Sequence, residues 1–110
     1  MLLYSNNLIR KITDFIDEMR YRYHLGKAMK EEDKKEYETS LSHYRKNIKI
    51  LKKHSLKYGN LGYTYHGMSR VYEKMKIDDL AEKYKKLENY IFYGYPYAYE
   101  LKRDNQWMDL

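Results

Sequence analysis

The run HGMSRVYEKMKIDDLAEKYKKLENY, residues 66–90, decides the fold. Together with the residues just before it, its apolar positions Leu61, Tyr65, Met68, Tyr72 and Met75 step by four and three, which puts them on one face of a helix. The segment KIDD then interrupts the pattern as a turn, with Asp78 or Asp79 placed to cap a further helix that buries Leu80, Tyr84, Leu87 and Ile91. The expected unit is therefore a helical hairpin. Neither helix can bury its apolar face alone, so a second hairpin is required to complete a core.

Upstream, Tyr37, Leu41, Tyr44, Ile48 and Leu51 form the same four-three stripe. Laid over the later helix at an offset of 40, Tyr44 matches Tyr84, and Ser40, Asn47 and Leu51 fall on Leu80, Leu87 and Ile91. A first helix is expected from SNNLIRKITDFIDEMRYRYH, where Leu8, Ile9, Ile12, Phe15, Ile16, Met19 and Tyr23 share a face and Ser5 is placed as its N-cap. The turn that follows holds Gly26 and the charged string KEEDKKE, which leaves room for the helix to run through part of it before ending. Gly59, Gly62 and Gly67 lie in the third helix, and glycine costs about 1 kcal/mol in a helix interior, so close approach of a neighbouring helix is expected there. The last stretch, YIFYGYPYAYE (residues 90–100), reads as a corner: Gly94 caps the fourth helix and Pro96 opens a short fifth one. Tyr97, Leu101 and Trp107 would cover the end of the stack.

These features resemble the tetratricopeptide repeat, in its longer-period form. Tyr65, Met68, Ser69 and Tyr72 stand where that family has its large aromatic, leucine, glycine and tyrosine, and Ala81 stands at the small residue of the second helix. One good repeat covers about residues 60–92, and a degenerate one, with Leu25 and Gly26 as the leucine-glycine pair, covers about 23–54. Ser69 and Lys76 depart from the family pattern, which often has glycine at both. The resemblance implies an all-α fold, an antiparallel helical-hairpin stack of four main helices plus a short C-terminal capping helix, forming a single domain over residues 1–110. It also implies a partner-binding groove lined by Tyr63, His66, Arg70 and Lys74, with Glu73 beside them.

Composition agrees with a helical globular chain: 110 residues, 43% hydrophobic, 35% charged, five glycines and one proline. It has no cysteine, which removes disulfides and thiolate metal sites and fits a reducing, cytoplasmic setting. The start, MLLYSNNLIRK, has neither a signal-peptide pattern nor a membrane-length apolar run.

The net charge of +6 is uneven. Thr39 to Tyr72 contains no acidic residue, while Arg45, Lys46, Lys49, Lys52, Lys53, Lys57 and Arg70 supply seven positive charges. Arg45, Lys49, Lys52, Lys53 and Lys57 are the candidate basic face for phosphates. Four histidines, His24, His43, His54 and His66, include no i, i+4 pair, so no local metal or catalytic motif exists and no cofactor is expected. RYRYH (residues 20–24) is too short in its Arg-to-His spacing for a HEPN nuclease motif, and GNLG (59–62) lacks the strands that a nucleic-acid-clamping KH loop needs.

The first expectation is thus a non-catalytic protein-interaction module, a small adaptor or inhibitor that binds a protein partner or a second copy of itself. The alternative is nucleic-acid or nucleoprotein binding through the basic face, in the manner of a phage or mobile-element protein that blocks a host nucleoprotein complex. The 15 tyrosines suit the first reading, because each joins a large contact area to a hydroxyl.

Overall fold

In the computed structural model, which describes residues 2–53 and 58–94, four helices follow one another. They are α1 (Leu2–Asp33), α2 (Tyr37–Leu51), α3 (Tyr58–Lys74) and α4 (Asp78–Tyr93). Each packs on its neighbour in sequence, so α1 and α2 form one hairpin, α3 and α4 a second, and α2 lies against α3 between them. The all-α hairpin stack is as expected; the capping helix around Pro96, Tyr97, Leu101 and Trp107 falls outside the described residues.

The core follows the four-three stripes. Leu41, Tyr44 and Leu51 of α2 are buried with Leu61, Tyr65, Met68, Val71 and Tyr72 of α3 and Leu87 of α4, while Tyr37, Ile48, Leu80, Tyr84 and Ile91 pack half-buried at its margin. Tyr72 and Tyr84 stack with ring centroids 5.5 Å apart and planes at 13°. Asp78 and Asp79 occupy the first turn of α4, where carboxylates favour the positive end of the helix dipole, but the capping position itself is Ile77, which makes no side-chain cap. Gly94 ends α4 at φ 67°, its N–H donating to the Tyr90 carbonyl.

The true repeat is 41 residues, one more than the match of large residues suggests. Both hairpins turn on a lysine held at positive φ, Lys35 at 63° and Lys76 at 62°. In the first turn Lys35 N–H donates to the Glu32 carbonyl (2.9 Å) and Glu36 N–H to that of Glu31 (2.8 Å). In the second, Lys76 N–H donates to the Glu73 carbonyl and Ile77 N–H to that of Tyr72, both at 3.0 Å. Each turn is thus a Schellman motif with lysine where glycine is usual. One small residue then crosses another in each hairpin: Ser40 Oγ donates to the Ala28 carbonyl (2.7 Å), and Ser69 Oγ donates to the Ala81 carbonyl (2.8 Å).

The donor sits on the second helix of one pair and on the first helix of the other, yet both pairs span 12 residues. Ala28, fully buried, is therefore the counterpart of Ser69. Gly26, which a glycine-based alignment chooses, is exposed, and a Cβ added there would meet nothing within 4 Å. The offset of 40 pairs Tyr44 with Tyr84 by residue type, but Tyr44 packs towards α3 and Tyr84 stacks on Tyr72. The spacing between the two helices is equal in both copies once the small pairs are aligned.

The first helix departs most from expectation. It begins before Ser5, so Ser5 is an interior position, and it runs unbroken past Gly26 to Asp33, taking in the first part of KEEDKKE as the sequence allowed. The contacts of Ser40 with Ala28 and Asn47 with Tyr21 set the end of α2 about level with Asp17, leaving the first half of α1 beyond it. Every residue from Asn6 to Ile16 is exposed. The face that packs on α2 carries Tyr21, Ala28 and Glu32, which are buried. The apolar stripe from Leu8 to Met19 points the other way, and Tyr23 at its end stays exposed while its ring edge meets His43 of α2.

Candidate functional site

Arg70 and Lys74, one turn apart on α3, are placed by their spacing to hold a carboxylate, and they do hold one from their own chain. Arg70 Nε and Nη2 donate to Glu32 Oε2 and Oε1, both at 2.7 Å, and Lys74 Nζ donates to Glu32 Oε2 at 2.6 Å. The Glu32 side chain is 4% exposed, against 37% for Arg70 and 43% for Lys74. The bidentate bond from Arg70 foremost, helped by Lys74, holds the Glu32 carboxyl below its usual 4.5 even though burial pushes the other way. The same fork holds the Arg70 pKa up. Arg70 Nη2 also reaches the Tyr44 hydroxyl at 3.3 Å, and burial raises that phenol. The cluster joins α1, α2 and α3 and so locks the two hairpins together.

The other groove candidates separate. His66 Nδ1 lies 3.0 Å from Glu88 Oε2 on α4. Lys85 Nζ sits 3.3 Å from Glu88 Oε1, close enough for charge attraction although that oxygen accepts no hydrogen bond. Tyr63 is exposed and meets Phe92 edge-on at 5.2 Å. His66 and Arg70 line one open groove between α3 and α4, of about 490 Å³, together with Ser69, Glu73, Asp78 and Glu82. Tyr63 and Lys74 stand outside that groove.

Shifted back by one 41-residue repeat, the groove corresponds to Leu25, Ala28, Met29, Glu32, Ser40 and Leu41, on the side of the first hairpin that Tyr44 shares and where α3 docks. One seat is largely apolar and filled. Its repeat is charged and open, because Arg70 and Glu82 stand at the positions of Met29 and Leu41.

Along the basic face, Arg45 Nη2 donates to the Tyr72 hydroxyl at 2.8 Å, so it helps pin α2 to α3. Lys49, Lys52 and Lys53 are exposed and make no ion pair among the described residues. Lys57 lies outside the described residues, as does His54.

Two histidines that sequence spacing keeps apart meet across the first hairpin. His24 Nδ1 and His43 Nδ1 are 2.9 Å apart, one ring donating to the other, and the Tyr23 ring packs edge-on against both. Burial lowers both pKa values, and nearby cations reinforce it: Lys46 and Arg20 act on His24, which also feels His43, and Lys46 and Lys27 act on His43 against the opposing pull of Glu31. Since both folded values lie below 6.5, the unfolded chain binds more protons in the interval beneath 6.5. Urea unfolding followed against pH is therefore expected to show this contribution in full above 6.5 and losing it as pH falls through the lowered folded values. The double variant His24→Gln/His43→Gln should flatten that slope.

Among the described residues no group of three His, Asp or Glu side chains is arranged to hold a metal ion, and no helix is long and apolar enough to cross a membrane. Glu32 is the site residue that sequence reasoning misses: one carboxylate among the five between Glu31 and Glu38 gives no sign that it is the buried one.

The fold and its surfaces define a class, a stack of two helical hairpins joined by a buried ion cluster. No known protein family, curated protein or solved structure matches the chain.

Proposed function

We propose that the protein is a non-catalytic interaction module that binds another polypeptide through the apolar face of α1. The observation that carries this reading is the stripe of Leu8, Ile9, Ile12, Phe15, Ile16, Met19 and Tyr23, seven large apolar side chains between 47% and 65% exposed. Each contributes on the order of 100 Å², so the stripe offers about 700 Å², more than the ~300–600 Å² patch of an ordinary monomer and near the ~800 Å² per partner of a standard interface. A helical overhang of this length is marginal in water by itself, which gives the same face a second reason to be covered.

The test is a photo-crosslinking residue at position 15, used in the wild-type chain and in an Ile12→Lys/Ile16→Lys background. Polypeptide adducts are expected in the first and not in the second, with helicity and unfolding midpoint unchanged. Equal adducts in both, or none in either, would remove the reading.

The tetratricopeptide-like character of the hairpins is supported by the equal spacing of Ala28 with Ser40 and Ser69 with Ala81, the small-small crossings such repeats use. On that reading the α3–α4 groove is a second surface for a protein, with Glu73 placed as the repeat counterpart of Glu32.

A second reading, nucleic-acid binding, is favoured by Lys49, Lys52 and Lys53, exposed on a segment without acidic residues. It predicts binding to random duplex DNA that weakens with salt, and Lys49→Glu/Lys52→Glu/Lys53→Glu should shallow the log–log salt slope by about 2.7, or ~0.9 for each phosphate no longer neutralised. An unchanged slope would exclude that face.

A further inference from the structure

We infer that the α3–α4 groove is a seat for a helix of a partner polypeptide, one that presents an arginine and a lysine a turn apart to Glu73. This rests on the reading of the hairpins as repeats and is independent of the α1 stripe.

The first hairpin shows what such a seat holds. There Glu32, near the end of α1, receives Arg70 and Lys74 of the next helix at 2.7 and 2.6 Å, and Tyr44 of α2 packs against Gly67 of the same helix. Glu32, Leu41 and Tyr44 are buried as a result. One repeat of 41 residues later stand Glu73, Glu82 and Lys85, all three exposed. Glu73 keeps the carboxylate that receives the cations in the first hairpin, and no described helix follows α4 to cover it. Glu82 and Lys85 in place of Leu41 and Tyr44 make this second seat one for a polar helix rather than an apolar one.

Charge decides the occupant. Of the cations that line the groove, Arg70 is held by Glu32, and Lys85 lies 3.3 Å from Glu88. Of the anions, Glu73 and Asp78 make no ion pair among the described residues, and Glu82 has only Lys86, at 3.9 Å. Three carboxylates are thus left with little to answer them in a chain whose net charge is +6. A basic helix is repelled by the chain as a whole and drawn to this groove. Arginine is the residue that makes two parallel bonds to one carboxylate, and a lysine a turn later adds the third, as on Glu32. Among the described residues an arginine followed by lysine four positions on recurs only at Arg45 and Lys49, and Arg45 is held by the Tyr72 hydroxyl at 2.8 Å. The occupant is therefore a helix of a different polypeptide.

The probe is a fluorescein-labelled, alanine-based helical peptide of ~20 residues with arginine and lysine four apart, titrated with the full chain at low salt and read by anisotropy. Its twin carries glutamine at both positions. The first peptide is expected to bind about tenfold more tightly than the twin, and Glu73→Gln/Glu82→Gln should erase that difference with helicity and unfolding midpoint unchanged. Ile12→Lys/Ile16→Lys should leave the peptide affinities as they are, which separates failure of this seat from failure of the α1 reading. Equal affinity of the two peptides, binding of neither, or a difference that survives Glu73→Gln/Glu82→Gln overturns the inference. A solution mass of twice 13.6 kDa that Glu73→Gln/Glu82→Gln returns to one chain would make the occupant a second copy and overturn it as well. So would a gain of about tenfold in peptide affinity on Lys102→Gln/Arg103→Gln, which would make the occupant the last residues of the chain itself.

Discussion

Replacing Arg70 by Met is expected to lower the unfolding free energy by about 3 kcal/mol, the low end of what breaking a buried pair costs. The Glu32 side chain is 4% exposed and receives three charged hydrogen bonds, two of them from Arg70. Without the guanidinium the carboxylate stays buried with only Lys74 to answer it, and the Tyr44 hydroxyl loses a donor. Lys74→Met should cost less, about 1 kcal/mol, since the fork remains.

Glu32→Gln should fall between the two, because both cations are more than a third exposed and can turn to water. Arg70→Lys should rescue little, as an ammonium cannot make two parallel bonds to one carboxylate. Urea denaturation of the four variants gives the order. Acid adds a check: with its folded pKa below 4.5, Glu32 contributes stability above that value and loses it as pH falls through the lowered one. Glu32→Gln should lack that acid step.

This cluster also changes what the α3 cations can do for a partner. A carboxylate or phosphate arriving at Arg70 and Lys74 has to displace Glu32, and doing so strands a buried charge between the hairpins. The pair is better suited to holding the stack together than to capture. The surfaces left for partners are the α1 stripe, the α3–α4 groove and the lysines of α2.

Gly67→Ala is expected to destabilise by about 1–2 kcal/mol, the overpacking cost less the ~1 kcal/mol that alanine returns to the helix. A Cβ at Gly67 would lie 2.5 Å from Tyr44 Cζ and 2.6 Å from its hydroxyl. Tyr44 is 1% exposed and tied to Arg70, so its ring has little room to move. Gly62 supplies the contrast. Its Cβ would fall 2.7 Å from Phe92 Cζ and 2.9 Å from Ile91 Cγ2; Phe92 is exposed near the end of α4 and can swing aside, the half-buried Ile91 methyl has to give by a few tenths of an ångström, and the ~1 kcal/mol that alanine returns to the helix offsets that shift. Gly62→Ala should therefore be close to neutral, and Gly26→Ala, which meets nothing within 4 Å, should stabilise by about 1 kcal/mol. Unfolding midpoints in the order Gly26→Ala, Gly62→Ala, Gly67→Ala, from highest to lowest, would bear this out. Equal shifts for all three would show that helix propensity alone governs these sites.

The contrast among the glycines shows how much the sequence could reveal. Period alone located α2, α3 and α4 and their inward stripes, because an apolar residue at every third or fourth position leaves few other solutions. It also pointed to close approach in α3, true at Gly62 and Gly67 and untrue at Gly59. What period could not reveal was which apolar face is covered. The α1 stripe has the same spacing as the others, and a helix with apolar residues on one side and Tyr21, Ala28 and Glu32 on the other has two candidate inner faces. The repeat offset slipped by one because matching large residues favoured Tyr44 with Tyr84. The small residues Ala28, Ser40, Ser69 and Ala81, set 12 apart in each pair, carried the real register. Glu32 and Arg70 are separated by 38 residues, and only the fold brings them together. The same holds for His24 and His43.

The central claim, that the exposed face of α1 is an interface, is tested most directly by hydrogen exchange at the backbone amides of residues 9–19, measured with and without the polypeptide that crosslinks to position 15. A covered helix exchanges more slowly, so protection at 9–19 that rises with that polypeptide, while that of α3 stays constant, is the predicted result. Exchange at 9–19 that is equally fast in both would contradict it.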